Sequence, residues 1–194
     1  MRFNYTDELI EYMNKQYSEA LKGTDESFFV NKKALLYALY CEVTRRNRLT
    51  ILNLLGRRYD TRLYSYDSFP ILEGVKQCGV VDYVTDMPKV FHFSKINLNP
   101  VFRGIETGIP LRAFDIMGFG GFLLSSYQEE LDELFVDGEE LVLYDSYADA
   151  IEKTDFYLKH DDLRERIANN GKKKVLEEYT LQKAFDKILN TLNV

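Results

Sequence analysis

The stretch that most constrains the fold runs from Lys95 to Ser126. It contains two apolar, strand-like runs, Ile96–Asn99 and Gly121–Ser125, separated by a glycine-bearing loop and a helix-like segment, Pro110–Phe119. Strand, loop, helix, turn and strand in this order are typical of a parallel βαβ unit. We expect the rest of the chain to add layers to this unit.

Before this unit, the apolar spacing is first helical and then changes to a shorter period. Up to residue 58 it predicts three helices. The segment from residue 60 to 93 predicts two strands and two helices in alternation. The predicted elements are a helix ending near Gly23, helices over Val30–Cys41 and Thr44–Leu55, a strand over Thr61–Tyr66, a helix over Ile71–Cys78, a strand over Val80–Val84 and a helix capped by Thr85 that ends near Phe93.

After the central unit, strand and helix signals continue to alternate, and three of the four helices are preceded by a capping residue. The predicted elements are an acidic helix over Tyr127–Phe135 capped by Ser126, a strand over Leu141–Tyr144, a helix from Ser146 to Lys159, a helix over Leu163–Tyr179 interrupted at Gly171 and a last helix capped by Thr180.

This alternation predicts an α/β fold: a Rossmann-like, mostly parallel sheet with helices on both faces, plus an N-terminal helical segment. We divide the chain into residues 1–58, a helical segment that packs on the core, and residues 59–194, a Rossmann-like domain with C-terminal helices. In such sheets, ligands bind at the carboxyl ends of the strands.

Composition narrows the class of protein. No apolar run approaches the roughly 20 residues that span a bilayer, the first seven residues lack the apolar segment of a secretory signal, and Cys41 and Cys78 are too few for a disulfide framework. We therefore expect a reduced, cytoplasmic protein. The formal charge of −6 argues against a sequence-independent nucleic-acid binder.

Charge is unevenly distributed along the chain. Eleven carboxylates and one lysine lie between Glu129 and Asp155, whereas arginines crowd the early chain. Two interpretations stay open: two solvated faces of opposite sign, or a basic region close to an anionic ligand. The early arginines are Arg45, Arg46, Arg48, Arg57, Arg58 and Arg62.

Asn97 and Asn99 alternate with apolar residues, so both are expected on one face at the loop-facing end of their strand. Asparagine is depleted in strands, and the pair therefore needs an explanation. Their side chains could tie down the loop over residues 100–109, or they could donate to the hydroxyls or phosphate of a ligand.

The loop and the following helix supply the other candidate binding residues. Arg103 and Gly108 belong to the loop, and glycine lets backbone N–H groups approach an anion. Arg112 and Asp115, spaced i,i+3, could form a surface ion pair worth about 0.2–0.5 kcal/mol. Alternatively, Arg112 grips a diphosphate and Asp115 accepts hydrogen bonds from sugar or ribose hydroxyls. Gly120 and Gly121 favour close packing or ligand access.

The sequence contains no P-loop, no dinucleotide fingerprint, no GxSxG elbow and no cluster with metal-ligand spacing. No residue is therefore assigned a catalytic role, and no metal site is predicted.

From about Val80 to Leu192 the sequence resembles the carboxyl-terminal domain of group 1 glycosyltransferases, specifically the CgeB-like (spore maturation protein-like) branch. The resemblance lies in Met87–Phe91, Lys95–Asn99 and, above all, Gly108–Leu124, with Gly138–Glu140 and Ile167–Gly171 in support. It implies the donor-binding half of a GT-B fold, which binds a nucleotide-diphosphate sugar and needs no metal or other cofactor.

In the wider family a glutamate on the helix of the central unit holds the ribose of the donor. Asp115 stands at that place, a shorter carboxylate that can take the same role. The family's earlier glutamate, eight residues before, falls at Thr107, with Glu106 beside it. Taken together with the candidates above, the resemblance predicts donor binding by Asn97, Asn99, Arg103, Gly108, Arg112, Asp115, Gly120 and Gly121.

A complete GT-B enzyme needs two domains, about 350 residues at typical domain sizes, and this sequence has 194. The acceptor-side domain is expected outside this chain, so a missing N-terminal GT-B domain or a homodimer would complete the cleft. Two functions stay open: the donor-binding domain of a metal-independent glycosyltransferase acting on a glycan, polysaccharide or protein acceptor, or a non-catalytic interaction or scaffold module derived from one.

Overall fold

A computed structural model describes residues 7–20, 22–23, 32–105 and 107–191. Within these ranges helices predominate and each strand is three or four residues long. In chain order the elements are α1 (Asp7–Ala20), α2 (Lys32–Gly56), β1 (Thr61–Leu63), β2 (Val75–Gln77), α3 (Met87–Phe93), β3 (Asn97–Asn99), α4 (Leu111–Gly118), β4 (Leu123–Ser126), α5 (Glu129–Leu134), β5 (Val142–Tyr144), α6 (Tyr147–Leu158), α7 (Asp161–Glu178) and α8 (Leu181–Thr191).

The strands form two parallel sheets. One has the order β3-β4-β5, with Leu98 opposite Leu124 and Leu124 opposite Val142, and the other pairs β1 with β2. The predicted α/β class with parallel strands is confirmed. The βαβ unit is confirmed as β3-α4-β4, in which Pro110 and Phe119 are the caps of α4. A helical crossover is required here because parallel neighbours cannot be joined by a tight turn.

Helices cover both faces of the larger sheet because successive residues of a strand point to opposite faces. Leu123 of β4 packs with residues of α3, α4, α5 and α7 in one buried cluster. Leu124 packs with residues of α2, α6 and α7 in the other. Helices α4 and α5 lie on the same face, as expected for two successive crossovers of the same hand that move in the same direction across a sheet.

The segment 71–78 is not the helix that we predicted. It holds strand β2, whose Val75 is buried and lies opposite Thr61 of β1. The backbone of Gly74 has a φ of +71°, which no α-helix contains, and a Cβ there would lie 2.3 Å from the carbonyl oxygen of Gly56. Ile71 and Val75 are spaced like a helix face, so periodicity alone gave the wrong element.

The strand predicted over Val80–Val84 is also wrong, since this segment contains no strand. The Asp82 carboxylate accepts hydrogen bonds from the N–H groups of Val84 (3.0 Å) and Thr85 (2.7 Å), which closes a turn. A short polar side chain that bonds to the backbone competes with sheet hydrogen bonds, and the apolar Val80 and Val84 stay exposed.

Two helix boundaries differ from the prediction as well. The two helices predicted between Val30 and Leu55 form one continuous α2 over the described part, and α7 runs through Gly171 without interruption. Two predicted capping residues are replaced by later ones: Asp86 precedes α3, and Gln128 precedes α5 because Ser126 ends β4. Ser146 does cap α6, accepting from the N–H of Asp149 at 3.1 Å. The domain boundary at residue 58 stays a prediction.

A search for membrane-spanning helices within the described residues gave no helix with enough length and apolar character to cross a bilayer.

Gly171 allows α7 to pack closely against the turn before β5. A Cβ at this position would lie 2.3 Å from the carbonyl oxygen of Glu140, in a buried site. In a free helix, exchanging glycine for alanine stabilises by about 1 kcal/mol. At Gly171 we expect the opposite sign, because backbone cannot move aside as a flexible side chain can.

We predict that Gly171→Ala lowers the free energy of unfolding by about 1–3 kcal/mol, the usual cost of overpacking. The measurement is urea denaturation followed by far-UV circular dichroism. Gly118→Ala in α4 is the matched control, since its new Cβ would meet only Val175 at an ordinary 3.6 Å. Equal stability of the two variants would contradict the close approach at Gly171.

Candidate functional site

The candidate site lies at the carboxyl edge of the larger sheet, where β3, β4 and β5 end at Asn99, Ser126 and Tyr144. The loop over residues 100–110 crosses this edge. Its first half contacts α2, since the ring of Phe102 lies 6.2 Å from that of Tyr37. Near its end, the carbonyl of Gly108 accepts a hydrogen bond from Gln128 Nε2 at 2.7 Å, on the side of α5. The loop therefore connects the two faces of the sheet.

Asn97 and Asn99 are both buried and have protein partners. Asn97 Nδ2 donates to the carbonyl oxygens of Phe91 (2.9 Å) and Phe122 (3.3 Å), and Asn99 Nδ2 donates to Ser125 Oγ (3.1 Å). These contacts join β3 to α3 and β4 rather than to the loop. Contact of either side chain with a ligand stays a prediction.

Arg112 and Asp115 lie together on α4 with a third residue, Tyr83, from the turn before α3; we call these three residues the α4 cluster. The Tyr83 hydroxyl donates to Asp115 Oδ2 at 2.5 Å. The Arg112 guanidinium lies over the ring of Phe91, 5.5 Å from its centroid. Among the described residues, Arg112 and Asp115 form no ion pair with each other or with any other residue.

Within the α4 cluster, the neighbours of Tyr83 raise its pKa. The largest cause is the hydrogen bond to the Asp115 carboxylate, and burial and the negative charge of Asp115 act in the same direction. The positive charge of Arg112 partly opposes this shift. A raised pKa keeps the phenol protonated at neutral pH, so Tyr83 acts as a donor that orients the carboxylate. The cluster combines one cation, one anion and one hydroxyl on a surface, a set suited to a phosphate and a diol.

The other predicted residues are spread over the domain. Arg103 lies on the α2 side of the loop, where its backbone N–H donates to Thr44 Oγ1 at 3.0 Å, and no described contact brings it to Arg112. Gly108 has a φ of +90° and lies in an exposed part of the loop. Glu106 lies outside the described residues.

Gly120 and Gly121 follow α4, whose direction is opposite to that of the strands, so they lie at the amino edge of the sheet. A Cβ at Gly121 would come within 2.7 Å of both Asn97 Nδ2 and the Phe91 carbonyl oxygen. This close approach of α3 and β4 explains the glycine at position 121. A ligand role for the two glycines stays a prediction.

Tyr83 is the functional candidate that the sequence analysis missed. It is 32 residues from Asp115 along the chain and lies in the segment that we had predicted as a strand. The sequence signal that could have placed Tyr83 at the surface is Asp82, whose side chain can close a turn with the backbone of Thr85. Within the described ranges, no group of three or more His, Cys, Asp or Glu residues is close enough to hold a metal ion.

The parallel sheets, the crossing loop at the carboxyl edge of the larger sheet and the α4 cluster define an α/β domain with a polar candidate site. A family model described as glycosyl transferase-like matches residues 30–190. The chain therefore belongs to the glycosyl transferase-like family.

The chain is also similar to a solved structure, the C-terminal domain of a group 1 family glycosyl transferase (LpcC) from Francisella tularensis. The identity is 22%, the TM-score is 0.47, and the match covers 56% of this chain and 55% of that one. The chain thus spans about half the length of this relative. Among curated proteins, the search gave no match.

We predict that Asp115→Asn lowers the pKa of Tyr83 toward the ordinary tyrosine value, because the amide carries no negative charge. Since the folded pKa lies above the unfolded one, the stabilising contact is complete below pH about 10 and is lost as the pH rises through the folded pKa. The measurement is an NMR titration of tyrosines labelled in the ring.

Asp155→Asn is the matched control. Asp155 accepts from the Tyr59 hydroxyl at 2.6 Å, and burial followed by this hydrogen bond raises the pKa of Tyr59 to about 12. The control should shift Tyr59 and leave Tyr83 unchanged. A Tyr83 titration that is insensitive to Asp115→Asn would show that the two side chains are apart in solution.

Proposed function

We propose that this chain is the donor-binding domain of a metal-independent glycosyltransferase. It binds a nucleotide-diphosphate sugar, and the complete enzyme transfers the glycosyl group to a glycan, polysaccharide or protein acceptor. Membership of the glycosyl transferase-like family over residues 30–190 supports the reaction class. The observation that carries the assignment of the site is the α4 cluster, which combines an arginine that has no ion pair among the described residues with a carboxylate oriented by Tyr83.

Each member of the α4 cluster has a role in this proposal. Within the described structure, no carboxylate pairs with the Arg112 guanidinium, so its charge is available to the diphosphate. Asp115 accepts hydrogen bonds from the ribose hydroxyls. Tyr83 occupies one carboxylate oxygen, Oδ2, and thereby leaves Oδ1 for the ligand. Positive charge and backbone donors at the leaving diphosphate would then stabilise the charge that develops during transfer.

We further propose that the chain belongs to the CgeB-like branch, acts in the cytoplasm and uses no cofactor besides its donor substrate. The support for the branch is the run Gly108–Leu124, which forms the end of the crossing loop, α4 and the start of β4. The free thiols of Cys41 and Cys78 support a reducing compartment. An acceptor-side domain, or a second copy of this chain, would complete the cleft.

The test of this function is isothermal titration calorimetry with uridine and guanosine diphosphates. We expect binding to the wild type and at least about tenfold weaker binding to Arg112→Ala and Asp115→Ala, since a hydrogen bond to a charged group contributes about 1.5–3 kcal/mol. Arg166→Ala is the matched control, because Arg166 is an exposed arginine on α7 without an ion pair among the described residues.

Two results would count against the proposal: no binding at millimolar diphosphate, or equal binding by wild type and Arg112→Ala. The first result would favour the alternative, a non-catalytic interaction or scaffold module that keeps the fold. Size-exclusion chromatography with light scattering on the same samples would then show whether the chain assembles with itself.

A further inference from the structure

Helix α2 extends beyond the part of the sheet that it covers. Its last turns supply Ile51 and Leu55 to the core, and its end leads into β1. Residues 44–48, which precede these last turns, lie at the carboxyl edge of the larger sheet. A helix of 25 residues is about 37 Å long, well over the length of a three-residue strand.

Three hydrogen bonds fix these earlier turns to the carboxyl edge. Arg48 Nε donates to the carbonyl oxygen of Pro100 at 3.2 Å. Thr44, which is buried, accepts from the backbone N–H of Arg103 at 3.0 Å. The Tyr147 hydroxyl donates to Asn47 Oδ1 at 2.8 Å. Residues 44–48 of α2 are thus attached to the first residues of the crossing loop and to the start of α6.

The arginines of α2 differ in how their charge is used. Arg45 and Arg46 both bond to Glu42, at 2.7 and 2.6 Å, and are compensated by it. Arg48 bonds to a carbonyl oxygen, which does not neutralise its charge. Arg103 is exposed and is anchored through its backbone only. Within the described residues, neither Arg48 nor Arg103 has a carboxylate within ion-pair distance.

Tyr144 ends β5 at the same carboxyl edge and is buried there. Burial raises the pKa of Tyr144 to about 12, while the neighbouring Ser126 hydroxyl and the charges of Arg103 and Arg48 act in the opposite direction. Arg48 reaches Pro100, and Arg103 is held to Thr44, one helical turn before Arg48, so the two arginines are neighbours at this edge.

We propose that Arg48 and Arg103 form a phosphate clamp at the carboxyl edge of the larger sheet, so that α2 supplies part of the donor site. The inference rests on the proposed function and extends it, because it assigns the diphosphate to residues on two elements besides α4. Two guanidinium groups offer planar, paired donors to phosphate oxygens, and Tyr144 adds a hydroxyl that stays protonated at neutral pH.

Calorimetry with inorganic pyrophosphate and with uridine and guanosine diphosphates tests the clamp. We expect at least about tenfold weaker binding of each ligand by Arg48→Met and by Arg103→Met, the effect of losing one charge-assisted contact. Arg48→Lys should give an intermediate loss, since lysine keeps the charge without the planar fork. If both arginines hold one phosphate, the double variant should lose less than the product of the two single losses.

Arg58→Met is the matched control, an exposed arginine beyond the end of α2 and before β1. It should bind every ligand as the wild type does. A loss equal to that of Arg48→Met would indicate general charge attraction and overturn the clamp. If Arg48→Met fails to fold, as judged by circular dichroism, Arg103→Met decides, because no hydrogen bond of the described structure uses its side chain.

The outcomes separate the clamp from the proposed function. If Arg112→Ala weakens nucleotide binding while Arg48→Met and Arg103→Met do not, the clamp is wrong and the proposed function stands. If the wild type binds pyrophosphate through Arg48 and Arg103 but binds no nucleotide diphosphate, the clamp holds an anion and the proposed function is wrong. If the wild type binds none of the three ligands, both are wrong.

Discussion

The burial of β4 on both faces and along both edges is the constraint on which the rest of the structure depends. All four of its residues are buried, and it pairs with β3 on one side and β5 on the other. A strand without a free edge or a solvated face cannot shift its register without exposing its apolar residues. Strand β4 therefore fixes where β3 and β5 end, and so fixes the carboxyl edge at which the crossing loop begins.

The two polar residues of β4, Ser125 and Ser126, bond to the end of β3 and to the start of the crossing loop. Ser125 exchanges hydrogen bonds with Asn99, accepting from Nδ2 at 3.1 Å and donating to the carbonyl at 3.2 Å. Ser126 accepts from the N–H of Val101 at 2.9 Å. Buried polar groups require such partners, and here the partners are the end of β3 and the start of the crossing loop. The central strand thus sets the starting direction of the loop that carries Arg103.

How far the sequence predicted this structure depended on whether the signal was local. The β3-α4-β4 unit was predicted correctly because the apolar strand pattern, Pro110 and the α4 spacing all lie within one short stretch and agree with one another. Strand β2 was missed because it depends on Gly74 and its approach to Gly56, a tertiary contact that periodicity does not encode. A tertiary contact also explains Gly171, which does not interrupt α7. The glycine leaves room for the carbonyl oxygen of Glu140.

The residues of the candidate site also differ in whether a local sequence pattern predicted them or only the fold brings them together. Arg112 and Asp115 were found because they share a helix face, whereas Tyr83 joins them only through the fold. The basic early chain raised the question of an anionic ligand, and the i,i+3 and i,i+4 spacing of Glu42 to Arg45 and Arg46 is a local signal that these two arginines are compensated. The approach of Arg48 to the Pro100 carbonyl at the start of the crossing loop depends on the fold and could not be predicted in this way.

Charge is unevenly distributed along the carboxyl edge of the larger sheet. Beside Tyr127, just after β4, the edge is acidic: burial, followed by the carboxylates of Asp132, Glu129 and Asp145, raises the pKa of Tyr127. At the end of β3 the edge is basic, with Arg48 and Arg103. A chain of net charge −6 repels an anion on average. Under the proposed function, an anionic donor that reaches this edge is therefore directed away from α5 and toward the crossing loop and α2.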